Sequence, residues 1–227
     1  MNLVERLEQV RRRIDDAAQR SGRSGGDVTL VAVSKTFPAD VLIDAVAAGV
    51  TDFGENRAQE LREKLAVVGD KARWHFIGPL QTNKVRHVVG HAALVHSVDR
   101  PGLAEAIARR ARGLGIVQDV LLEVNIAGDP AKHGVEPGSA VAAATAVDEL
   151  DGVAVRGLMT MPPWPDSPEE SRPYYKELAA LGARLTAARP GAGELSMGMS
   201  RDFEVAVEEG ATLVRVGEAL FGPRGRR

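Results

Sequence analysis

Short apolar runs and longer amphipathic segments alternate along the chain from residue 28 onward. The short runs are rich in aliphatic and β-branched residues, and the longer segments carry apolar residues at helical spacing. Strands are predicted at residues 28–35, 51–56, 74–79, 93–99, 118–126, 153–161, 194–200 and 212–218. Helices are predicted near residues 38–49, 55–68, 82–90, 100–113, 138–150, 168–188 and 201–209, with a short stub after 218. Such alternation is typical of βα units around a parallel sheet.

The repeated strand–helix units predict the architecture. In a chain of 227 residues they favour an α/β fold with a single domain over residues 1–227, a (β/α)8 TIM barrel. A doubly wound open sheet is the alternative, and it needs fewer strands. An extra N-terminal helix is also predicted, because apolar side chains recur at helical spacing ahead of the first strand: Leu3, Leu7, Val10, Ile14 and Ala17.

The composition narrows the class of function. A net charge of −2 and an aromatic content of 4% provide neither the basic surface nor the stacking residues of a nucleic-acid-binding protein. The basic end, residues 225–227, is too short to change this and is interpreted as a solvated tail. No apolar run reaches transmembrane length, so no membrane contact is predicted. The chain contains no cysteine, which excludes disulfides and thiolate metal sites and fits a cytoplasmic protein.

Unusual residues cluster where predicted strands end. Active sites of (β/α)8 barrels form at the C-terminal ends of the strands, and phosphate groups often bind beside the last two of them. Lys35 ends the first predicted strand and Asn56 the second, while Ser200 and Gly217 follow the seventh and eighth. These four residues are therefore expected at one mouth of the barrel.

Ser200 and Gly217 are candidates for binding an anion. Ser200 is predicted at the N-cap of the helix after the seventh strand, where free backbone N–H groups favour negative charge. The plainer interpretation is that Ser200 only caps that helix. Gly217 opens a second short helix beside it, which adds a second set of donors and favours a phosphate site.

Arg215 is predicted to face the barrel interior. Leu213, Arg215 and Gly217 share one face of the last strand, and the β-branched Val214 and Val216 occupy the other. A buried arginine needs an acceptor because it keeps its proton. An ion pair with Glu55 or Glu123 is the structural alternative to a role in ligand binding.

Lys35 is the candidate nucleophile. If it points into the mouth, burial and the nearby guanidinium lower its pKa, and a neutral amine can attack a carbonyl carbon. The chemistry indicated is Schiff-base formation with a phosphorylated aldehyde or ketone. Lys84 and Lys132 on loops at the same mouth are rivals, whereas residues on helices or turns are interpreted as solvated: Lys64, Lys71 and Lys176.

The segment HVVGH offers a possible zinc site. His87 and His91 are four residues apart, with His96 downstream, a spacing that can ligate zinc. No catalytic glutamate or further carboxylate ligand accompanies them, so no metal site is predicted. The sequence leaves open whether His75 faces the lumen or the helices.

Seven motifs in order resemble one family. VAVSKTFP, DFGENRAQE, WHFIGPLQTNK, VLLEVNIAGDPAKHG, VRGLMTM, LSMGMSRDFEVAV and TLVRVGEALFG look like the pyridoxal phosphate homeostasis family, small barrels similar to the N-terminal domain of alanine racemase. The resemblance covers nearly the whole chain. One departure is GENRAQE, where the family often has GENYVQE, so that Arg57 and Ala58 replace an aromatic and an aliphatic residue.

The resemblance implies a cofactor and its site. It implies that pyridoxal 5′-phosphate (PLP) binds as a Schiff base on Lys35, with Arg215 facing the pyridine nitrogen. Ser200 and the backbone around Gly217 and Glu218 would hold the phosphate. The remaining residues implied to lie beside the cofactor or to line its pocket are Asn56, Ser196 and Met199.

The expected activity is carriage and buffering of PLP rather than turnover, and no catalytic residue is assigned. A racemase needs a second acid–base group, usually a tyrosine from a further domain, and Tyr174 and Tyr175 are expected on the outside of the barrel. Arginine beside the pyridine nitrogen also disfavours the protonated ring that stabilises carbanions. Apoenzymes that use PLP are the expected recipients, and a monomer is expected. The alternatives are slow amino-acid racemisation and, from the chemistry alone, a lysine-dependent aldolase acting on a phosphosugar.

Overall fold

A computed structural model describes residues 1–223 and contains a closed barrel of eight parallel strands in the order β1 to β8. The predicted basic tail at 225–227 lies outside these residues. The strands are β1 (Thr29–Val33), β2 (Asp52–Glu55), β3 (Arg73–Phe76), β4 (Leu94–Val98), β5 (Gln118–Glu123), β6 (Val153–Met159), β7 (Glu194–Met199) and β8 (Leu213–Val216). The (β/α)8 barrel prediction is confirmed, and the open-sheet alternative is wrong because β1 pairs with β8.

Helices connect the strands on the outside of the barrel. They are α1 (Leu3–Arg20), α2 (Ala39–Ala47), α3 (Ala58–Val68), α4 (Pro101–Leu114), α5 (Ala140–Asp148), α6 (Arg172–Ala188), α7 (Phe203–Glu208) and α8 (Glu218–Phe221). Between β3 and β4 the chain forms a 3₁₀ helix over Thr82–His87 instead of the predicted α-helix. Gly90, with a φ of 89°, follows in a conformation that a regular helix does not contain.

Alternation along the strands separates two cores. One face of each strand packs against the helices in a large shell that includes Ala32, Val214 and Val216. The opposite face fills the lumen, where five apolar residues form a separate cluster: Val31, Leu94, Leu121, Met159 and Leu213. Arg215 follows Leu213 by two residues and therefore shares the lumen face, as predicted.

The N-terminal helix α1 packs on the end of the chain rather than standing apart. Asn2 caps it in a capping box with Glu5, and Leu7, Val10 and Ile14 are buried. The helix contacts α7 and α8. Arg13 also pairs with Glu204 of α7 at 2.7 Å. Helix α1 therefore packs against the helices that follow β7 and β8. Within residues 1–223, none of the helices combines the length and the apolar character needed to cross a bilayer.

Candidate functional site

The turn after β1 carries Lys35 at the C-terminal mouth of the barrel. The strand ends at Val33, and Pro38 forms the N-cap of α2, so residues 34–37 must reverse the chain within four positions. Thr36 adopts a φ of 71°, which is unusual for a β-branched residue. Lys35 itself is half-buried. Lys35 is therefore partly withdrawn from solvent at this end of the barrel.

A buried ion pair between Lys64 of α3 and Glu55 of β2 fixes this turn. The Lys64 ammonium donates to Glu55 Oε1 at 2.5 Å and to the carbonyl oxygen of Ser34 at 2.7 Å. The Ser34 hydroxyl donates to the same Glu55 oxygen at 2.6 Å, and the Thr36 N–H donates to Glu60 Oε2 at 2.9 Å. Both neighbours of Lys35 are thereby fixed. The prediction that Lys64 is solvated is wrong, because its side chain is only 6% exposed and neutralises Glu55.

The turn after β7 is joined to β8 through one hydroxyl group. Ser200 Oγ accepts hydrogen bonds from the backbone N–H of Gly217 at 3.2 Å and of Ala219 at 3.3 Å. The predicted N-cap role of Ser200 is wrong, because α7 begins at Phe203 and Asp202 is its N-cap. Ser200 instead lies over the start of α8, where a hydroxyl and two backbone donors converge on one point.

Asp202 shapes that turn and was not identified from the sequence. Its Oδ1 accepts the Met199 N–H at 2.8 Å, and its Oδ2 accepts the hydroxyls of Ser171 and Tyr175, each at 2.7 Å. Gly198 has a φ of 88°, and a side chain there would lie 2.5 Å from the Ala206 Cβ. A carboxylate and a required glycine thus hold the turn against α6 and α7.

The ends of β1 and β8 lie against each other. Ala32 pairs with Val216, and a Cβ on Gly217 would come within 3.1 Å of the Val33 carbonyl oxygen. The absence of a side chain at Gly217 therefore allows a close approach of the two backbones. As a result, the donors around Ser200 adjoin the turn that carries Lys35.

Arg215 lies in the floor between these turns and is 3% exposed. Its guanidinium donates to Ser196 Oγ at 2.5 Å and to the Thr160 carbonyl oxygen at 2.8 Å. These bonds replace the ion pair considered from the sequence, since Glu55 is engaged by Lys64. Burial raises the pKa of Glu123, whose charge still acts on Arg215 through space. With five N–H donors, Arg215 can serve a ligand in addition to these two acceptors.

The other predicted site residues lie at the same mouth. Asn56 directly follows β2 and lines a cavity of about 240 Å³ with Lys84. Met199 ends β7 and is half-buried, and Glu218 opens α8 with its side chain in solvent. The rival Lys84 is exposed, and Lys132 bonds to the Met161 carbonyl oxygen at 3.2 Å in the loop after β5.

Two histidines face the lumen next to Arg215. His75 on β3 and His96 on β4 are fully buried, and their rings are joined by a hydrogen bond of 2.9 Å between His75 Nδ1 and His96 Nε2. His96 Nδ1 contacts Ser196 Oγ at 2.8 Å. His96 therefore contacts Ser196 rather than His87 or His91, and His87 accepts a hydrogen bond from Arg86. Alternating faces along β3 and β4 can be read from the sequence. Only the strand register in the structure shows that the face carrying His75 and His96 is the one that points into the lumen.

Comparison with known proteins decides the family. Residues 6–225 match the family described as alanine racemase, N-terminal domain. A pyridoxal phosphate homeostasis protein from Aquifex aeolicus is 47% identical over 229 residues, covering 99% of this chain and 99% of its own. The chain belongs to the pyridoxal phosphate homeostasis protein family. Its relative from Escherichia coli K12 is 39% identical over 231 residues, covering 98% of this chain and 97% of its own.

Solved structures agree with this family membership. PipY of Synechococcus elongatus, determined with PLP bound, matches with a TM-score of 0.83 and 36% identity, over 97% of this chain and 100% of PipY. Alanine racemase of Clostridium difficile matches with a TM-score of 0.73 but only 16% identity, over 99% of this chain and 57% of the racemase. The pyridoxal phosphate homeostasis family thus shares its barrel with the racemase, whose likeness concerns the fold alone.

Proposed function

We propose that this protein binds PLP through Lys35 and acts as a carrier that buffers the free cofactor. The observation that carries the proposal is the convergence of the Ser200 hydroxyl with two backbone N–H groups beside the turn of Lys35. Such donors suit a phosphate, and a lysine amine suits an aldehyde. The name shared by the relatives and the PLP bound to PipY support the same ligand.

The residues present fit three chemical groups of PLP, namely the aldehyde, the phosphate and the ring nitrogen. When bound, the cofactor supplies an aldehyde carbon, which forms a carbon–nitrogen double bond with a primary amine and releases one water. Lys35 provides that amine. Ser200 provides a hydroxyl donor for the phosphate, because the N–H groups of Gly217 and Ala219 donate to its oxygen and leave its hydrogen available. Arg215 provides a donor for the ring nitrogen. Asn56, Ser196, Met199 and Glu218 complete the proposed pocket.

Arg215 favours carriage over catalysis. A guanidinium keeps its proton, so the ring nitrogen that accepts its hydrogen bond stays unprotonated. An unprotonated ring withdraws electrons weakly and gives little help to carbanion chemistry. We therefore propose no substantial amino-acid turnover. The carrier works as a monomer in the cytoplasm and delivers PLP to apoenzymes that require it. Light scattering of the purified protein tests the monomer, with a dimer as the contradicting result.

Absorption spectroscopy tests the proposal directly. Protein mixed with PLP should develop a visible absorption band that Lys35→Ala removes and the control Lys84→Ala retains. Borohydride reduction followed by peptide mass analysis should find the pyridoxyl group on Lys35. An adduct on Lys84 or Lys132, or an unchanged band in Lys35→Ala, would contradict the proposed site.

Slow racemisation is the second candidate function, because residues 6–225 match the racemase barrel domain. Incubation of the loaded protein with L-alanine, followed by chiral chromatography, tests it. Formation of D-alanine that depends on Lys35 would replace the carrier by an enzyme.

A further inference from the structure

Five polar residues form one continuous hydrogen-bonded chain across the barrel lumen, from β8 to β2. Its members in order are Arg215, Ser196, His96, His75 and Asp52. The successive distances are 2.5, 2.8, 2.9 and 2.9 Å. All five residues are at most 9% exposed, and they share the lumen with the small apolar cluster. An arginine stands at one end of the chain and a carboxylate at the other.

The two ends of the chain and neutral imidazole rings together set the direction of the hydrogen bonds. Arg215 can only donate and the Asp52 carboxylate can only accept, so with both rings neutral Ser196 Oγ accepts from Arg215 and donates its own hydrogen to His96 Nδ1. His96 then carries its proton on Nε2 and donates to His75 Nδ1. His75 in turn carries its proton on Nε2 and donates to Asp52 Oδ1. Both imidazoles are neutral in this arrangement, and the guanidinium at one end balances the carboxylate at the other.

The alternative protonation state is disfavoured by charge. A proton added to His75 would reverse the bond to His96, move the His96 proton to Nδ1 and leave the Ser196 hydrogen without its acceptor in the chain. It would also bring a second cation toward Arg215. Burial and the nearby charge of Arg215 lower the pKa of His96 well below its ordinary value, in agreement with a neutral His96 ring. Glu123 and Asp202 are the carboxylates that act electrostatically on Arg215.

We propose that Ser196, His96, His75 and Asp52 are positioning residues that orient Arg215 for the cofactor ring through this one-directional chain. The inference rests on the proposed PLP site and extends it to the opposite end of the barrel. Asp52 opens β2 and borders a cavity of about 350 Å³ between the strands and α1. A change at that end is therefore transmitted to the floor of the cofactor pocket.

The protonation pattern can be measured without any cofactor. Two-bond ¹⁵N–¹H correlation spectra of the apoprotein at pH 7 should show both His75 and His96 as neutral rings protonated on Nε2. Protonation of either ring on Nδ1, alone or in addition to Nε2, would overturn the chain as described. This result is independent of whether the protein binds PLP.

Variants test whether the chain acts on the pocket. Asp52→Asn removes the terminal charge, and Ser196→Ala removes the link to Arg215. Each should raise the dissociation constant for PLP roughly threefold to tenfold, the effect of losing about one net hydrogen bond. Each should also shift the pH at which the visible band of bound cofactor changes, which a purely structural defect would not do.

Asp119→Asn is the matched control. Asp119 lies near the start of β5 and pairs with Arg156 at 2.8 Å, outside the chain, so this variant should bind PLP like the wild type. If Asp52→Asn and Asp119→Asn bind PLP with equal affinity and show the same pH dependence of the visible band, the positioning role is wrong, and the proposed PLP site is unaffected. Failure of the wild type to bind PLP would instead contradict the proposed function. If Ser196→Ala does not fold, Asp52→Asn and the spectra decide.

Discussion

Single residues on both sides of Lys35 determine the shape of the turn that carries it. Lys64 binds the Ser34 carbonyl oxygen, and Glu60 accepts the Thr36 N–H. Thr36 retains a positive φ that costs a β-branched residue on the order of 1–2 kcal/mol. Contacts to both neighbours stabilise this conformation. The amine is therefore presented by a turn whose backbone is fixed independently of the ligand.

Lys64→Met should destabilise the protein by about 3–5 kcal/mol, because it leaves the buried Glu55 without its cation. The loss should grow with pH. Burial raises the pKa of Glu55 above its ordinary value of 4.5, and removal of Lys64 raises it further. A carboxyl with a raised folded pKa stabilises the fold below 4.5, and this contribution is lost as pH rises through the folded value. Urea unfolding at several pH values measures the effect.

Two variants control this measurement. Lys71→Met changes an exposed lysine beyond the end of α3 and should be nearly neutral. The double variant Glu55→Gln/Lys64→Met removes both charges and should recover stability and lose the pH dependence. A loss in Lys64→Met that is the same at every pH would contradict the assignment to Glu55.

At this scale the sequence predicted the locations of residues better than their partners. Lys35, Arg215 and Gly217 were found because strand ends and face alternation are local properties of the chain. Lys64 was misinterpreted because a helical lysine looks the same whether its face meets solvent or a buried carboxylate. The contact between Glu55 and Lys64 depends on how α3 packs over β2, which no local pattern specifies.

At the scale of elements, eight strands and most helices were predictable because period-two and helical patterns reflect burial on one face. The predicted strands extend past the observed ones, as at 118–126 against Gln118–Glu123, because apolar residues continue after the ladder ends. The cap of α7 was misplaced for a related reason. Ser200 is of a residue type that favours a cap, but the turn continues to Asp202, which is the N-cap of the helix that begins at Phe203.

The contact between α6 and the turn after β7 supports a prediction about two adjacent tyrosines. Tyr175 is fully buried and donates to Asp202 at 2.7 Å, and burial with that carboxylate raises its pKa. Tyr175→Phe should cost about 1.5–3 kcal/mol, because it removes a hydrogen bond to a charged group. It should also weaken PLP binding, since Asp202 fixes the turn of Ser200 through Met199. Thermal unfolding and a PLP titration measure the two effects.

Tyr174→Phe provides the comparison on the same helix. Tyr174 is half-buried at the edge of the shell core, and its substitution should change neither stability nor affinity appreciably. If Tyr175→Phe lowers stability and leaves PLP affinity equal to that of Tyr174→Phe, then the contact of Asp202 with Tyr175 does not control the turn that carries Ser200.

The whole molecule combines a rigid barrel with a helix that supports one side of its mouth indirectly. The helix α1 packs on α7 and α8, the two elements whose preceding turns supply the proposed phosphate donors. Arg13 joins α1 to α7 through Glu204 and also lies over the Phe203 ring at 4.5 Å. The N-terminal helix thus packs on the elements next to the proposed phosphate donors, although none of its own residues is a candidate site residue.

Ile14→Ala tests this coupling across the molecule. Ile14 is 3% exposed in the core beneath α1, and its truncation should cost about 2–5 kcal/mol. Because α1 packs on the helices that follow β7 and β8, loosening of α1 should also make PLP dissociate faster from the folded variant. Stopped-flow release to a PLP acceptor, under conditions where both proteins are fully folded, measures this rate. Ile43→Ala, at a half-exposed position on α2, should leave stability and release unchanged. Unchanged release from Ile14→Ala despite lowered stability would restrict α1 to global stabilisation of the barrel.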